Sequence, residues 1–112
     1  GVRYADWLYL RTAHDAYHLW PDEMLFDLSN DPHQQENLVR EQPEALKCGR
    51  DKLDSWHAEM LVDAARDRDP HENVMAEGGP FHVRGKLPAY LERLRASDRL
   101  HLADQLAEKY GL

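Results

Sequence analysis

The stretch MLFDLSNDPHQQENL, residues 24–38, contains an apolar run that stops abruptly at an acidic turn. MLFDL at residues 24–28 is rich in strand formers, and SNDP follows directly at residues 29–32. Asn and Asp side chains can bond the nearby backbone into a turn. Pro32 restricts the residue before it and cannot donate a hydrogen bond to a strand ladder. The sequence therefore predicts a β-strand that ends at this turn.

Segments upstream of this strand predict the rest of a small sheet. In DWLYLRT, residues 6–12, the side chains of Trp7, Tyr9 and Arg11 alternate with those of Leu8, Leu10 and Thr12. This alternation suits a strand with both faces partly covered. AYHLW, residues 16–20, is also rich in strand formers, and the breaks AHDA and PDE are hairpin-sized and contain turn residues. We expect strands at residues 6–12, 16–20 and 24–28, joined as an antiparallel meander.

Residues 41–66 carry the strongest helical pattern of the chain. Pro43 lies near its start, and apolar residues follow it at helical spacing. The apolar residues of this stripe are Leu46, Leu53, Trp56, Met60 and Ala64. We expect the stripe to cover one face of the sheet. Gly49 interrupts it at an inward position and costs about 1 kcal/mol relative to alanine, which indicates a close approach of the helix to the sheet.

Shorter helices are predicted in the remainder of the chain. Asp69-Pro70 is typical of an N-cap followed by a first helical proline, and the GGP run at residues 78–80 ends that helix. Residues 88–96 and 98–110 are predicted as two further helices. Ser97 is expected to cap the second of these in front, and Gly111 behind.

The order of the elements, strands first and helices afterwards, favours the α+β class. We expect a small antiparallel β-sheet of about three strands, packed by one long helix and followed by a helical tail. The sheet-plus-helix subdomain is placed at residues 1–66. The helical C-terminal tail, with its Gly-rich loop, is placed at residues 67–112.

Length and charge limit the classes of function. The chain has 112 residues, enough for one domain with one modest hydrophobic core. Its 14 Lys and Arg residues against 21 Asp and Glu give a net charge of −7, which works against binding to a phosphate backbone, so no nucleic-acid partner is expected. No apolar run reaches the roughly 20 residues of a membrane span, so no membrane partner is expected either. Cys48 is the only cysteine, which excludes an internal disulfide and a Cys-rich zinc site and leaves the compartment open.

Two histidines stand four residues apart in HDAYH, residues 14–18. Their spacing is similar to the zinc-protease motif, which uses a glutamate and needs a helix to bring both rings to one face. In a strand the two side chains would lie about 13 Å apart, too far to share a metal. A hairpin turn with solvated histidines is favoured, and a zinc site on His14 and His18 is the alternative.

Cys48 and an acidic cluster are further candidates for chemistry. No residue that could act as a pairing base is readable beside Cys48. We therefore favour the interpretation of Cys48 as a small apolar residue within the helix over that of a nucleophile. The acidic cluster consists of Asp22, Glu23, Asp27 and Asp31. It has enough oxygens for calcium, but its spacing differs from that of the helix-loop-helix calcium loop. A solvated sheet edge is favoured, and no metal ligand is assigned.

The loop GGPFHVRGK, residues 78–86, combines a flexible backbone with an aromatic ring at Phe81. His82, Arg84 and Lys86 are three possible anion donors, so the loop could form the lip of a site for an anionic substrate. In the alternative interpretation, Phe81 fills a gap in the core and the cations are surface charges.

Several of these runs together resemble the C-terminal region of the sulfatase family, within the alkaline phosphatase superfamily. The runs are LYLRT at residues 8–12, MLFDLSNDPHQQENL, and the helix led by Pro43 with a central Trp56. In the family, a Tyr-rich strand is followed by Leu-Tyr-Asp-Leu, two variable residues, Asp-Pro, Glu and Asn-Leu.

The match to this family run is close but not complete. LFDL at residues 25–28, DP at 31–32 and NL at 37–38 match it, while Phe26 replaces the usual Tyr and glutamines at 34–35 stand where Glu is common. EGGPFHVRGKLPAYLERLRA, from residue 77 onward, is also similar to the tail of one bacterial sulfatase branch. The resemblance thus extends over most of the chain.

The resemblance implies a full-length hydrolase of sulfate esters. Its large N-terminal α/β domain would carry a formylglycine nucleophile and a divalent cation, usually calcium. The formylglycine arises from the Cys or Ser of a Cys/Ser-x-Pro-x-Arg motif, whereas Cys48 has no proline two places on. The family's Asp-rich metal motif and its catalytic Lys and His pair are likewise missing as recognisable motifs. No catalytic residue, metal ligand or cofactor is therefore assigned to this chain, which we expect to be inactive alone.

The role that the resemblance leaves for this chain is structural. It would pack against the N-terminal catalytic domain and help to wall the active-site cleft. His82 and Arg84 are the candidate substrate-binding residues, since such cations would steer and orient a sulfate ester. Hydrolysis of phosphonates or phosphodiesters by a relative of the family stays open.

Two other functions stay open beside the sulfatase interpretation. The first is a free-standing protein-interaction module whose exposed apolar face binds a partner or forms a homodimer. The second is a small zinc hydrolase built on His14 and His18.

Overall fold

The structure is a computed structural model that describes residues 1–64 and 68–112. In this part of the chain it contains three strands, β1 (Val2–Tyr4), β2 (Trp7–Arg11) and β3 (Glu23–Asp27). Four helices follow, α1 (Pro43–Asp63), α2 (Pro70–Ala76), α3 (Leu87–Ala96) and α4 (Leu100–Lys109). The predicted α+β class, with a long helix and a helical tail, is confirmed.

The chain divides into two compact units. The first unit comprises Gly1–Ala13 and Pro21–Asp69, and the second comprises His14–Trp20 and Pro70–Leu112. The boundary predicted between residues 66 and 67 lies outside the described residues. No helix in the described ranges combines the length and the apolar character needed to cross a membrane.

The sheet of the first unit has the order β1-β2-β3, and both neighbouring pairs are antiparallel. Tyr4 lies opposite Trp7 at the first turn, and Arg11 lies opposite Glu23 at the open end of the second pair. The predicted strands at residues 6–12 and 24–28 correspond to β2 and β3. The third strand is β1, which the sequence pattern did not indicate.

The strand predicted at residues 16–20 is wrong. Ala16, Tyr17 and Leu19 have φ angles of 49°, 68° and 58°, whereas strand residues have φ near −120° to −140°. The apolar side chains that suggested a strand serve the second unit instead, where Tyr17 is buried in the core.

The core of the first unit lies between the sheet and the first half of α1. Tyr9, Leu25 and Leu46 are its buried members. Gly49 is buried as well, and a Cβ atom there would lie only 2.7 Å from Cβ of Tyr9. The close approach of helix and sheet that was predicted at Gly49 is therefore confirmed.

The second half of α1 does not cover the sheet as predicted. Leu53 is half-buried, but Trp56 is 56% exposed and Met60 is 45% exposed. The reason is length, since a five-residue strand spans about 17 Å and a 21-residue helix about 32 Å. The helix therefore extends beyond the sheet. Its predicted end at residue 66 lies outside the described residues.

In the second unit, α3 and α4 pack against each other around Tyr17. Leu87, Leu91 and Leu94 provide the buried face of α3, and Ala103 and Leu106 that of α4. The spacing of four and three residues along α3 is that of one helical face. This packing fixes the position of α3 relative to the 14–20 segment.

The helix ends in the second unit agree only partly with prediction. Gly78 and Gly79 have φ angles of 92° and 95° and follow α2, as expected. Ser97, predicted to cap α4, instead ends α3, because its hydroxyl donates to the carbonyl oxygen of Arg93 at 2.8 Å. Gly111, with φ of 71°, follows α4 as predicted.

Candidate functional site

The 14–20 segment is held in place by the buried carboxylate of Asp15, whose residue is 2% exposed. Lys109 donates to Oδ2 of Asp15 at 2.7 Å, and the hydroxyl of Tyr110 donates to Oδ1. The backbone N–H of Tyr17 also donates to Oδ1, at 2.9 Å. Burial raises the pKa of Asp15, but these donors outweigh it, so the pKa lies below its ordinary value. The segment is thus anchored by an ionised side chain.

The ring of Tyr17 links this segment to the loop before α3. Its hydroxyl donates to the carbonyl oxygen of Val83 at 3.1 Å. Its ring stacks with that of Tyr90, with centroids 6.3 Å apart and planes inclined by 25°. The rings of Tyr17 and Tyr110 are also nearly perpendicular, with centroids 5.2 Å apart. These contacts hold the rings of Tyr17 and Tyr90 next to each other with their planes nearly parallel.

The loop before α3 is a compact turn. The N–H groups of Val83 and Arg84 both donate to the carbonyl oxygen of Pro80 at 3.0 Å, and the N–H of Lys86 donates to that of Val83 at 3.0 Å. α3 begins directly afterwards. Tyr90 and Arg93 then lie on one face of this helix, because they are three residues apart, and Lys86 is the N-cap residue four positions before Tyr90.

A cavity of about 230 Å³ lies over this face. We call it the basic cleft and define it by six of its lining residues, Tyr17, His18, His82, Lys86, Tyr90 and Arg93. The guanidinium of Arg93 lies 5.5 Å from the centre of the Tyr90 ring, a cation–π distance. No Asp or Glu of the described chain lines the cleft. It therefore presents four basic side chains around an aromatic floor.

The two residues predicted to bind substrate do not come together here. His82 lines the basic cleft and is exposed. Arg84 is engaged elsewhere, since it forms an ion pair with Glu77 at 2.6 Å and donates to the carbonyl oxygen of Gly79 at 3.2 Å. A role of both residues in substrate binding stays a prediction.

The other residues of the loop are also placed. Lys86, which the sequence offered as a third anion donor, lines the cleft. Phe81 is 86% exposed, so the alternative in which it fills a gap in the core is wrong. Tyr90 and Arg93 were not identified from the sequence, although their helical spacing from Lys86 could have revealed them.

The histidine pair does not form a common site. The His14 ring packs against Tyr17 and Tyr110, with centroids 5.7 Å and 5.9 Å away. His18 stacks on Trp20 at 5.0 Å. Within residues 1–64 and 68–112, no group of three or more His, Cys, Asp or Glu side chains could hold a metal ion. Cys48 is exposed on α1.

The acidic cluster is divided among separate structural contacts. Asp27 accepts hydrogen bonds from Ser29 and Asn30, and Asp31 accepts them from the backbone at residues 35 and 36. Glu23 is half-buried and is not part of a solvated edge as predicted. Its Oε1 accepts from Tyr9 at 2.6 Å and from Nε of Arg50 at 2.6 Å.

Glu23 lies at the centre of a polar chain that joins the sheet to α1. Arg50 donates to both carboxylate oxygens of Glu23. Tyr9 connects Glu23 to Arg11, whose Nη1 lies 2.8 Å from Oδ1 of Asp54. The Arg50 guanidinium lowers the pKa of Glu23 to about 2, against the opposing effect of partial burial.

We expect Glu23→Gln to lower the free energy of unfolding at neutral pH by about 1–2 kcal/mol. The folded pKa lies below the ordinary value of 4.5, so the carboxylate stabilises the fold fully above that pH. Its contribution is lost as the pH falls toward 2. Urea unfolding followed by circular dichroism across this range should show a shallower pH dependence for the variant.

The control for this measurement is Glu59→Gln, which removes an exposed acid of α1. This substitution should leave the pH dependence close to that of the parent chain. Equal acid sensitivity of the Glu23→Gln variant and the parent chain would contradict the assigned role of Glu23.

Comparison of the chain with family models, with curated proteins and with solved structures gave no match. The function is therefore argued from the residues and contacts described above.

Proposed function

We propose that this chain is the C-terminal part of a sulfate-ester hydrolase and acts there as a structural wall of the active site. The catalytic chemistry would come from an N-terminal α/β domain, its partner in the parent chain. The proposal rests on the sulfatase-like run at residues 25–38 and on the role that these residues have in the fold.

The observation that carries the proposal is the way this run closes the outer edge of β3. Asn37 Oδ1 accepts from the N–H of Leu25 at 3.0 Å, and its Nδ2 donates to the carbonyl oxygen of Glu23 at 3.2 Å. The N–H of Leu38 donates to the carbonyl oxygen of Leu25 at 2.8 Å. An edge strand with unpaired backbone groups invites pairing with another chain. The Asn-Leu pair satisfies these groups within the chain.

Two Asp residues of the run shape the turn that brings Asn37 and Leu38 back to the edge of β3. The Asp27 carboxylate accepts from the N–H and the hydroxyl of Ser29, at 3.0 Å and 2.6 Å. Asp31 Oδ2 accepts from the N–H groups of Gln35 and Glu36, at 2.8 Å and 2.9 Å. The spacing of Asp, Asp-Pro and Asn-Leu thus sets a turn of defined length. These contacts support a structural role for the residues that carry the resemblance.

The groups that the family uses for catalysis do not fit the residues of this chain. The described residues offer no cluster of metal ligands, and Cys48 lacks the proline of the formylglycine motif. Calcium and formylglycine would accordingly belong to the N-terminal domain. No chemical step is assigned to the present chain.

A paired activity assay tests this proposal. We expect this chain alone to leave an aryl sulfate unhydrolysed. The chain joined to its native upstream coding sequence, which should contain a Cys/Ser-x-Pro-x-Arg motif, is expected to hydrolyse it. An upstream sequence without that motif, or a longer protein that is inactive on aryl sulfates, phosphonates and phosphodiesters, would contradict the proposal.

A second candidate function is a protein-interaction module, favoured by the exposed Trp56 and Met60 on α1. Exposed apolar side chains of this kind tend to become interfaces. In the sulfatase proposal this surface meets the catalytic domain, and in the second it forms a homodimer. Light scattering of the purified chain distinguishes them, because a monomer at high concentration contradicts the homodimer.

A further inference from the structure

The basic cleft brings together two cationic side chains, Lys86 and Arg93, that form no ion pair in the described part of the chain, although Glu92 lies next to Arg93 and lines the neighbouring depression with both of them. Arg11, Lys47, Arg50, Arg84 and Lys109 each form an ion pair with a carboxylate. Within the described residues, neither Lys86 nor Arg93 has such a partner, although acids outnumber bases by 21 to 14 in the chain. His18 and His82 add two further nitrogen donors at the same cavity.

The floor of the cleft is aromatic and is held in position. Tyr17 is fixed through its hydroxyl bond to Val83 and through the anchored Asp15 beside it. Its stacking on Tyr90 gives two rings inclined by only 25°. Tyr17 is only 7% exposed, so a planar ligand would pack mainly against the half-buried ring of Tyr90. A site that needs little ordering on binding loses less entropy, which favours affinity.

The size of the cavity limits the ligand. Its volume of about 230 Å³ is below the range of about 300–1,000 Å³ that is typical of sites for drug-sized molecules. A single ring with one charged group is a suitable occupant. Lys86 lies at the N-terminal end of α3, where the helix dipole also favours a negative charge.

We propose that the basic cleft binds a small aromatic oxyanion, with the ring against Tyr90 and the anionic group among Lys86, Arg93, His82 and His18. Arg93 is suited to this role, because its planar guanidinium can donate two parallel hydrogen bonds to a sulfonate, sulfate or phosphate group. The proposal concerns binding only. It holds whether or not the chain belongs to a sulfate-ester hydrolase.

The test is a titration of the full 112-residue chain, labelled with ¹⁵N, with benzenesulfonate at low ionic strength. Methanesulfonate supplies the anion without the ring, and phenol supplies the ring without the anion. We expect saturable shifts of the amide signals of residues 82–93 with benzenesulfonate. Binding of either of the other two probes should be weaker by about tenfold or more. Equal affinity for all three probes would overturn the proposal, and so would the absence of saturable shifts in residues 82–93.

Two variants of α3 distinguish binding in the basic cleft from non-specific electrostatic attraction. Arg93→Gln removes a cleft cation, and Arg95→Gln removes the same charge from a residue of the same helix that does not line the cleft. Both residues are exposed, so both variants should fold. We expect Arg93→Gln to weaken benzenesulfonate binding about tenfold and Arg95→Gln to change it by less than about twofold. Equal weakening by the two variants would show non-specific attraction and overturn the proposal.

Discussion

Replacing Asp15 with alanine is expected to lower the free energy of unfolding by about 3 kcal/mol, because it leaves the partners of a buried charge unsatisfied. Asp15 is 2% exposed and accepts hydrogen bonds from Lys109, Tyr110 and the backbone of Tyr17. Its pKa lies below the ordinary value of 3.8, so this stabilisation is complete above that pH and is lost in stronger acid. Urea unfolding near neutral pH, followed by circular dichroism and by tryptophan fluorescence, measures the loss.

Two further variants complete the Asp15 experiment. Asp15→Asn keeps an acceptor for the Tyr17 N–H but removes the charge, so its effect should lie between that of alanine and zero. Asp104→Ala removes an exposed acid of α4 and should change the free energy of unfolding by less than about 0.5 kcal/mol. If Asp15→Ala were as mild as Asp104→Ala, the anchoring role of Asp15 would be wrong.

Gly49→Val is expected to destabilise the protein by about 3 kcal/mol, since a side chain at this position enters a filled space. A Cβ atom at residue 49 would lie 2.7 Å and 2.8 Å from Cβ and Cγ of Tyr9, and 3.2 Å from the hydroxyl of Tyr4. Tyr9 is 0% exposed and its hydroxyl is bonded to Glu23, so it cannot move aside easily. Chemical denaturation followed by far-ultraviolet circular dichroism gives the change in the free energy of unfolding.

The matched control for Gly49→Val is Ser55→Val. It introduces the same β-branched residue into the same helix at an exposed position, so it lacks the overlap, and Ser and Val have similar helix propensities. Its effect should stay below about 0.5 kcal/mol. Equal effects of the two substitutions would mean that α1 does not approach β2 as closely as the structure has it.

Local chemistry explains what the sequence predicted well in the first unit. The turn after β3 depends on Asp27 and Asp31, whose short side chains bond the backbone within a few residues. Gly49 was informative because a glycine inside an apolar stripe has a steric reason. The turn depends on neighbours in the sequence, whereas the glycine could be recognised from the stripe around it although the side chain that it approaches, Tyr9, is distant in the sequence.

The errors arose where distant packing decides the structure. Residues 16–20 have the composition of a strand, but their apolar side chains belong to the core around α3 and α4, and their positive φ angles leave no pattern in the sequence. The apolar stripe of α1 continues to Met60 although the sheet is too short to cover it. Periodicity shows which face of a helix is apolar, but it does not show what covers that face.

The candidate site was predicted only in part, because packing between residues distant in the sequence also decides which side chains line it. His82 and Lys86 lie in the loop that drew attention, and both line the basic cleft. Arg84 lies between them in the sequence but forms an ion pair with Glu77 instead. His18 joins the cleft from near the start of the chain, which only the fold could show.

The connection between β2 and β3 has a consequence for genetic dissection of this protein. Because His14–Trp20 belongs to the same unit as Pro70–Leu112, cutting the chain once does not separate the two units. A tail expressed without the connection would lack Asp15 and Tyr17, which Lys109 and the core of α3 and α4 require. A chimaera that exchanges the tail therefore has to exchange this connection as well. Insertions between β2 and β3 should be tolerated less than insertions at an exposed hairpin tip.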